Sequence, residues 1–164
     1  MKSILFIIVF ISLISCVSKK NAITTGFEGK PLPSFNLLLM DSTTTINTND
    51  IPKSAPIVLF FISPYCPYCK AQTKQILTDI KSLSNIHLYL ITSLPYSDLK
   101  KFYEHFDLKK YPEITVGYDY TSFFGHYYKV NSVPYIAIFN RKKILRQVFT
   151  GNVKTDILKD IALQ

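Results

Sequence analysis

Two cysteines stand either side of a Pro-Tyr dipeptide in Pro64-Tyr65-Cys66-Pro67-Tyr68-Cys69-Lys70, and their spacing implies chemistry. Sulfurs three residues apart on a helix lie nearly one turn from each other. A thiolate on one can attack a disulfide, and the other can then displace the product. If the pair opens a helix, Cys66 meets the positive end of the helix dipole and the free N–H groups of the first turn, both of which favour thiolate. Cys66 is then the attacking sulfur and Cys69 the resolving one. Lys70 and Lys74 add positive potential, screened by solvent. Two other uses of the pair compete with this one. A zinc site wants four ligands, and there is no second C-x-x-C. A pair used only for packing would never change redox state.

The flanking sequence supplies the elements that such a pair needs. Residues 57–62, Ile-Val-Leu-Phe-Phe-Ile, are a continuous apolar run, as in a strand buried on both faces, and Pro64 closes it. Ala71, Ile76, Leu77 and Ile80 then recur at helical spacing among Lys and Gln. Pro67 suits the first helical turn, where its missing N–H is not needed. Upstream, residues 25–35 read as an irregular segment and residues 35–39 as a strand. Thr45-Ile46 is the short return of a hairpin. Downstream, residues 86–91 are strand-like. Ser97 is the expected N-cap of a helix with Leu99, Phe102, Tyr103 and Phe106 on its apolar stripe. Residues 114–116 suggest a short extra strand, followed by an aromatic helical turn at residues 119–124. Pro134 opens the apolar run to Phe139, a position where a strand tolerates proline. Residues 140–143 form a turn, residues 144–149 return antiparallel, and residues 154–163 close the chain as an amphipathic helix.

The chain has 164 residues, 48% hydrophobic, 14% aromatic and 18% charged, with nine prolines, five glycines and a net charge of +8. These figures exclude disorder and collagen-like architecture, and no repeat of solenoid period is present. The positive charge is not gathered into a basic block interleaved with aromatics, which argues against nucleic acid as a partner. Residues 1–15 hold one charge, Lys2, and an apolar run at 4–14. At about 1.5 Å per residue this run is too short to cross a hydrocarbon core of about 30 Å. The layout is that of a secretory signal.

Leu13-Ile14-Ser15-Cys16 resembles the lipobox of bacterial lipoproteins. The resemblance implies a signal peptide at 1–15 and a lipidated Cys16. Residues 16–26 would form a tether and residues 27–164 a domain anchored outside the cytoplasm, facing the periplasm. With Cys16 consumed by lipid, Cys66 and Cys69 can bond only to each other, to a metal or to a partner. The C-x-x-C motif after a buried strand, Val133-Pro134 before the second hairpin, and the lead-in Gly29-Lys30-Pro31-Leu32-Pro33 resemble the thioredoxin fold. In particular they resemble the membrane-anchored TlpA/ResA-like thiol–disulfide oxidoreductases. That resemblance implies an α/β fold, a central mixed sheet flanked by helices. It also implies an N-terminal β-hairpin extension and a short insertion before a strand that opens on a cis-proline. Pro134 would be cis, and Val133 would contact substrate. Tyr65, Pro67 and Tyr68 would rim the groove. Protein thiols and disulfides would be the substrates, with a membrane electron donor and no cofactor, and reduction is favoured over oxidation.

The departures from that family are specific. Thioredoxins place a buried acid six residues before the first cysteine, where this chain has Phe60. Glu104 and Glu113 are the candidates for a substitute proton acceptor. The second functional reading is a copper-binding or copper-delivery module that uses Cys66, Cys69 and His126. Copper-delivery proteins of the Sco type share the fold but use a C-x-x-x-C spacing, which this sequence lacks. His87 and His105 read as surface or packing residues.

Overall fold

The apolar run at residues 57–62 lies at the centre of the sheet. The computed structural model describes residues 21–164. The expected signal peptide, Cys16 and the first part of the tether lie outside the described residues. Within them the chain runs β1 (Ala22–Ile23), β2 (Asn36–Leu39), β3 (Thr45–Asn47), β4 (Ile57–Phe61), α1 (Pro67–Thr78) and β5 (His87–Thr92). There follow α2 (Tyr96–His105), β6 (Ile114–Tyr118), α3 (Phe123–Tyr127), β7 (Tyr135–Phe139), β8 (Leu145–Thr150) and α4 (Thr155–Leu163).

The strands form one mixed sheet in the order β1-β8-β7-β4-β5-β6-β2-β3. β4, β5 and β6 are parallel, whereas β7 runs antiparallel to β4 and β8 antiparallel to β7. This is the α/β thioredoxin fold that the resemblance implied. The β2–β3 hairpin extends the sheet at one edge, and β6 with α3 forms the insertion before β7. Successive strand side chains face opposite ways. Val58, Phe60, Ile136 and Ile138 therefore pack with Cys69 and Ile76 of α1, Leu99 of α2 and Leu158 of α4. Ile57, Leu59, Ala137 and Phe139 pack on the other face with Leu32, Phe35 and Phe124.

Several local expectations are corrected. Residues 22–23, expected within a tether, form a strand instead: Ala22 and Ile23 pair with Phe149 and Val148 at the edge of β8. Residues 29–32 continue along that edge through Gly29 N–H to Leu145 O (2.9 Å) and Leu32 N–H to Lys143 O (2.8 Å). Such pairing uses backbone groups alone, so no side-chain pattern announces it. The extra strand is longer than residues 114–116 and is a full member of the sheet. Gly117 lets β2 dock beside it, since a Cβ there would lie 2.9 Å from Leu37 Cβ. Pro95, not Ser97, caps α2: the Asp98 and Leu99 N–H groups both donate to Pro95 O. Pro95 is held extended at φ −47°, ψ 135°, and leaves Ser97 inside the first turn.

The site helix is pinned by a buried amide. Gln72 is 0% exposed; its Nε2 donates to Val153 O (3.0 Å) and its Oε1 accepts from Val153 N–H (2.7 Å). Gln72→Leu keeps the volume but strips both backbone groups of their partner. Each buried group left unpaired costs about 1–3 kcal/mol. The variant is expected to show a clearly lowered urea midpoint with an unchanged m-value.

Candidate active site

The chain leaves β4, turns at residues 62–66 and starts α1 with Cys66 as its N-cap. The Cys66 backbone is extended (φ −71°, ψ 120°), and its Sγ accepts the Cys69 N–H at 3.4 Å. The sulfur thus does what a Ser or Asp oxygen does at other helix starts. Pro67 follows at the first helical positions, where no N–H is required. The Cys66 N–H donates to Ser63 O (3.0 Å), and Lys70 N–H donates to Cys66 O (3.1 Å).

The two thiols are free and unequally solvated. Cys66 is half-buried, and its S–H points to the Val133 carbonyl oxygen at 3.7 Å. Cys69 is 0% exposed. Burial pushes the Cys69 thiol up to about 12; the Ser63 backbone N–H works against this, and the neighbouring Cys66 sulfur adds to it.

Strand register explains why the Pro134 loop lies beside the thiols. Phe61, the last residue of β4, pairs with Tyr135, the first of β7, and Tyr135 pairs with Thr150, the last of β8. The segments just beyond these residues therefore converge at one end of the sheet. The Val133–Pro134 bond is cis, and Pro134 O accepts the Gly151 N–H at 2.8 Å. Gly151 makes that turn at φ +81°, where side-chain-bearing residues are strained. Beyond it, Asn152 Nδ2 donates to Tyr68 O (3.1 Å), tying the same loop to the dipeptide between the cysteines.

Tyr65, Pro67 and Tyr68 are exposed around Cys66, each tyrosine at 65%. Sequence reasoning missed the partner that orients one of them: Tyr65 Oη donates to Asp98 Oδ2 at 2.5 Å, and Lys101 Nζ lies 3.5 Å from Asp98 Oδ1. The bond raises the Tyr65 phenol above its ordinary range and lowers the Asp98 carboxyl below its own. Tyr65 and Asp98 form two walls of a hollow of about 350 Å³ that Lys70, Lys101, Phe102 and His105 also line. An acid in the first turn of a helix was a usable signal for Asp98, but nothing in the sequence named its partner.

The position that carries an acid in thioredoxins holds Phe60, buried in the same cluster as Cys69. Glu104 is exposed on α2. Glu113 immediately precedes β6, at the opposite end of the parallel strands from the thiols. The one buried acid among the described residues is Asp119. Its carboxylate accepts from the Phe123 and Phe124 N–H groups (3.0 and 2.8 Å), Thr121 Oγ1 (3.1 Å) and Ser93 Oγ (3.3 Å). It organises the start of α3. The three-residue copper set of Cys66, Cys69 and His126 is not assembled. Among the described residues no three His, Cys, Asp or Glu side chains come close enough to hold a metal ion. His126 lines a different, open hollow with Thr121, Phe123 and Tyr127. His87 and His105 are exposed.

The profile of a thioredoxin-like domain family matches residues 51–164. No curated protein sequence matches the chain. The thioredoxin domain of a thiol-disulfide oxidoreductase from Bacteroides vulgatus is 16% identical, with TM-score 0.64, over 81% of this chain and 93% of that one. The exposed lipoprotein thioredoxin of Streptococcus pneumoniae is 22% identical, with TM-score 0.63, over 79% and 98%. StoA from Bacillus subtilis is 15% identical, with TM-score 0.62, over 80% and 97%. At these identities the likeness is one of fold.

Two consequences of the electrostatics can be measured. A thiol whose pKa rises on folding stabilises the dithiol fold below the unfolded value and loses that contribution as pH climbs through the folded one. Stability of the reduced protein should fall as pH rises from 9.0 towards about 12. Buried Tyr89, Tyr128 and Tyr135, also raised by burial, add a fall of the same sign that starts higher. In Cys69→Ala the first part of the fall should vanish from urea titrations taken across pH, leaving the tyrosine part. In Asp98→Ala the Tyr65 phenol should ionise at lower pH than in the parent, read by ultraviolet absorbance against Tyr65→Phe; an unchanged curve would refute the bond.

Proposed function

The chain belongs to the thioredoxin-like family, and on that premise we propose that it is a thiol–disulfide oxidoreductase acting on protein thiols and disulfides outside the cytoplasm. In this reading a lipid on Cys16 holds it to a membrane with the domain facing the periplasm. The observation that carries the proposal is the unequal solvation of two sulfurs one helical turn apart. Cys66 is reachable at a helix N-cap, whereas Cys69 is sealed beneath it.

In the reductive direction the Cys66 thiolate attacks one sulfur of a substrate disulfide. A Cys66–substrate bond forms, the substrate S–S bond breaks, and the departing thiolate takes a proton from solvent. Cys69 then loses its proton and attacks Cys66 Sγ. The Cys66–Cys69 disulfide forms, the second substrate thiolate leaves, and two electrons have passed to the substrate. A membrane electron donor returns the pair to the dithiol. The resemblance to anchored family members supports this direction of flow. Val133 and Pro134 shape the groove beside Cys66, while Tyr65, Pro67 and Tyr68 provide an apolar rim for a peptide. No resident metal or cofactor enters the scheme.

With insulin as substrate and dithiothreitol as the electron source, Cys66→Ser should abolish catalysed disulfide reduction. Cys69→Ser should retain the first attack and accumulate mixed disulfides, resolved on non-reducing gels. Full activity in Cys66→Ser would end the proposal.

A further inference from the structure

The chain joins the sheet at the same end as the thiols. Ala22 pairs with Phe149, so Asn21 falls beside Thr150, in the row that continues through Tyr135 to Phe61. Asn21 O accepts the Thr150 N–H at 3.0 Å. Asn21 Nδ2 donates to Asn152 O (2.8 Å), and Asn152 Nδ2 donates to Tyr68 O (3.1 Å). Two hydrogen bonds thus link the start of the described chain to the dipeptide between Cys66 and Cys69.

Chain length turns this link into an orientation. Cys16 precedes Asn21 by five residues, and an extended chain advances at most about 3.5 Å per residue, so the two are no more than about 18 Å apart. The other pole is distant. β8 carries the chain about 17 Å from Thr150 back to Leu145. Beyond Leu145 lies the surface that Arg141, Lys142 and Gln164 share. A lipid at Cys16 can lie flush with the thiol pole, but it reaches the far pole only if the whole tether is stretched along the domain. The thiol pole also carries the exposed rings of Tyr65 and Tyr68 beside Lys70 and Lys101. Amphipathic aromatics and lysines suit the headgroup layer.

We infer, resting on the lipidation of Cys16 proposed above, that the anchor presents the Cys66 pole to the bilayer. The membrane electron donor of the proposed function is then the exchange partner that the orientation favours, its reactive cysteines held near the headgroups at a height limited by the tether of at most about 18 Å. The exchange is the same balanced thiol–disulfide reaction, and the short tether raises the effective concentration of the partner.

The test uses the full lipidated chain in phosphatidylcholine–phosphatidylglycerol vesicles containing a lipid with a pyridyl disulfide on a short headgroup linker. Thiopyridone release is compared with that from a soluble pyridyl disulfide. Cys69→Ser leaves Cys66 as the reacting thiol. Arg141→Cys, with Cys66→Ser and Cys69→Ser, places a thiol at the far pole. The vesicle-to-soluble rate ratio should be at least about tenfold higher for Cys66 than for the far-pole thiol. Equal ratios, or a higher one at the far pole, in a chain that sediments with the vesicles would overturn the orientation alone. A chain that stays in the supernatant removes the anchor, and the orientation with it.

Discussion

The difference in solvation between two sulfurs one turn apart is the constraint on which the site depends. Cys66 and Cys69 share a helix start and a motif, yet one is half-buried and the other is 0% exposed. Desolvation penalises charge, so the buried sulfur stays a neutral thiol across the physiological range. The outer sulfur receives an N–H from the first helical turn and faces the Val133 carbonyl. In the proposed exchange, the order of attack first and resolution second rests on an environment that makes similar groups unlike. The sheet enforces it: β4 delivers Cys66, β7 starts at the cis-proline, and β8 ends where Asn152 meets Tyr68, all at one end of the strands.

Phe60 bears on the resolving step proposed for Cys69. A carboxylate at that position would offer Cys69 a proton acceptor, whereas a buried phenylalanine offers only further desolvation. Glu113 lies at the wrong end of the sheet and Glu104 in solvent, so neither compensates. Exchange rates depend on the thiolate fraction of the attacking sulfur. In the proposed scheme, resolution then depends on deprotonation of Cys69.

What the sequence disclosed and what it hid divide along a physical line. The central strand, the site helix, the proline-led strand and the closing helix all bury side chains, and burial leaves a period in the sequence. β1 and the pairing of residues 29–32 with β8 are made by backbone groups at an edge, and any side chain would serve. The free thiol pair, the cis Val133–Pro134 bond and the exposed rings of Tyr65 and Tyr68 were within reach of the motif. Asp98 was hidden because its role exists only across 33 residues of chain, through the Tyr65 hydroxyl. Asp119 was hidden differently. It reads as one more loop acid until its carboxylate is seen to collect the first N–H groups of α3. His126 shows the reverse error: nearness to Val133-Pro134 in sequence suggested nearness to the thiols, yet it shares a hollow with Thr121, Phe123 and Tyr127 and not with Cys66 or Cys69.

The lead-in segment is a structural layer, not an ornament. One face of the sheet is covered by α1, α2 and α4, but on the other the inserted helix α3 has only five residues. That is too short to shield Ile57, Leu59, Ile91, Ala137 and Phe139 by itself. Leu32 and Phe35 complete the cover, Phe35 stacking on Phe123 at 5.3 Å, while Phe27 meets Tyr127 and Tyr128 at 4.9 and 5.2 Å. Lys143 fastens the same region from beneath, its Nζ donating to Thr48 O and Asn49 O. The family profile begins at residue 51, yet the fold needs the residues before it: without them an aromatic and aliphatic sheet face would lie open to water. Because that cover starts from the edge of β8 beside the thiols, the segment that completes the core also determines where the chain leaves the domain.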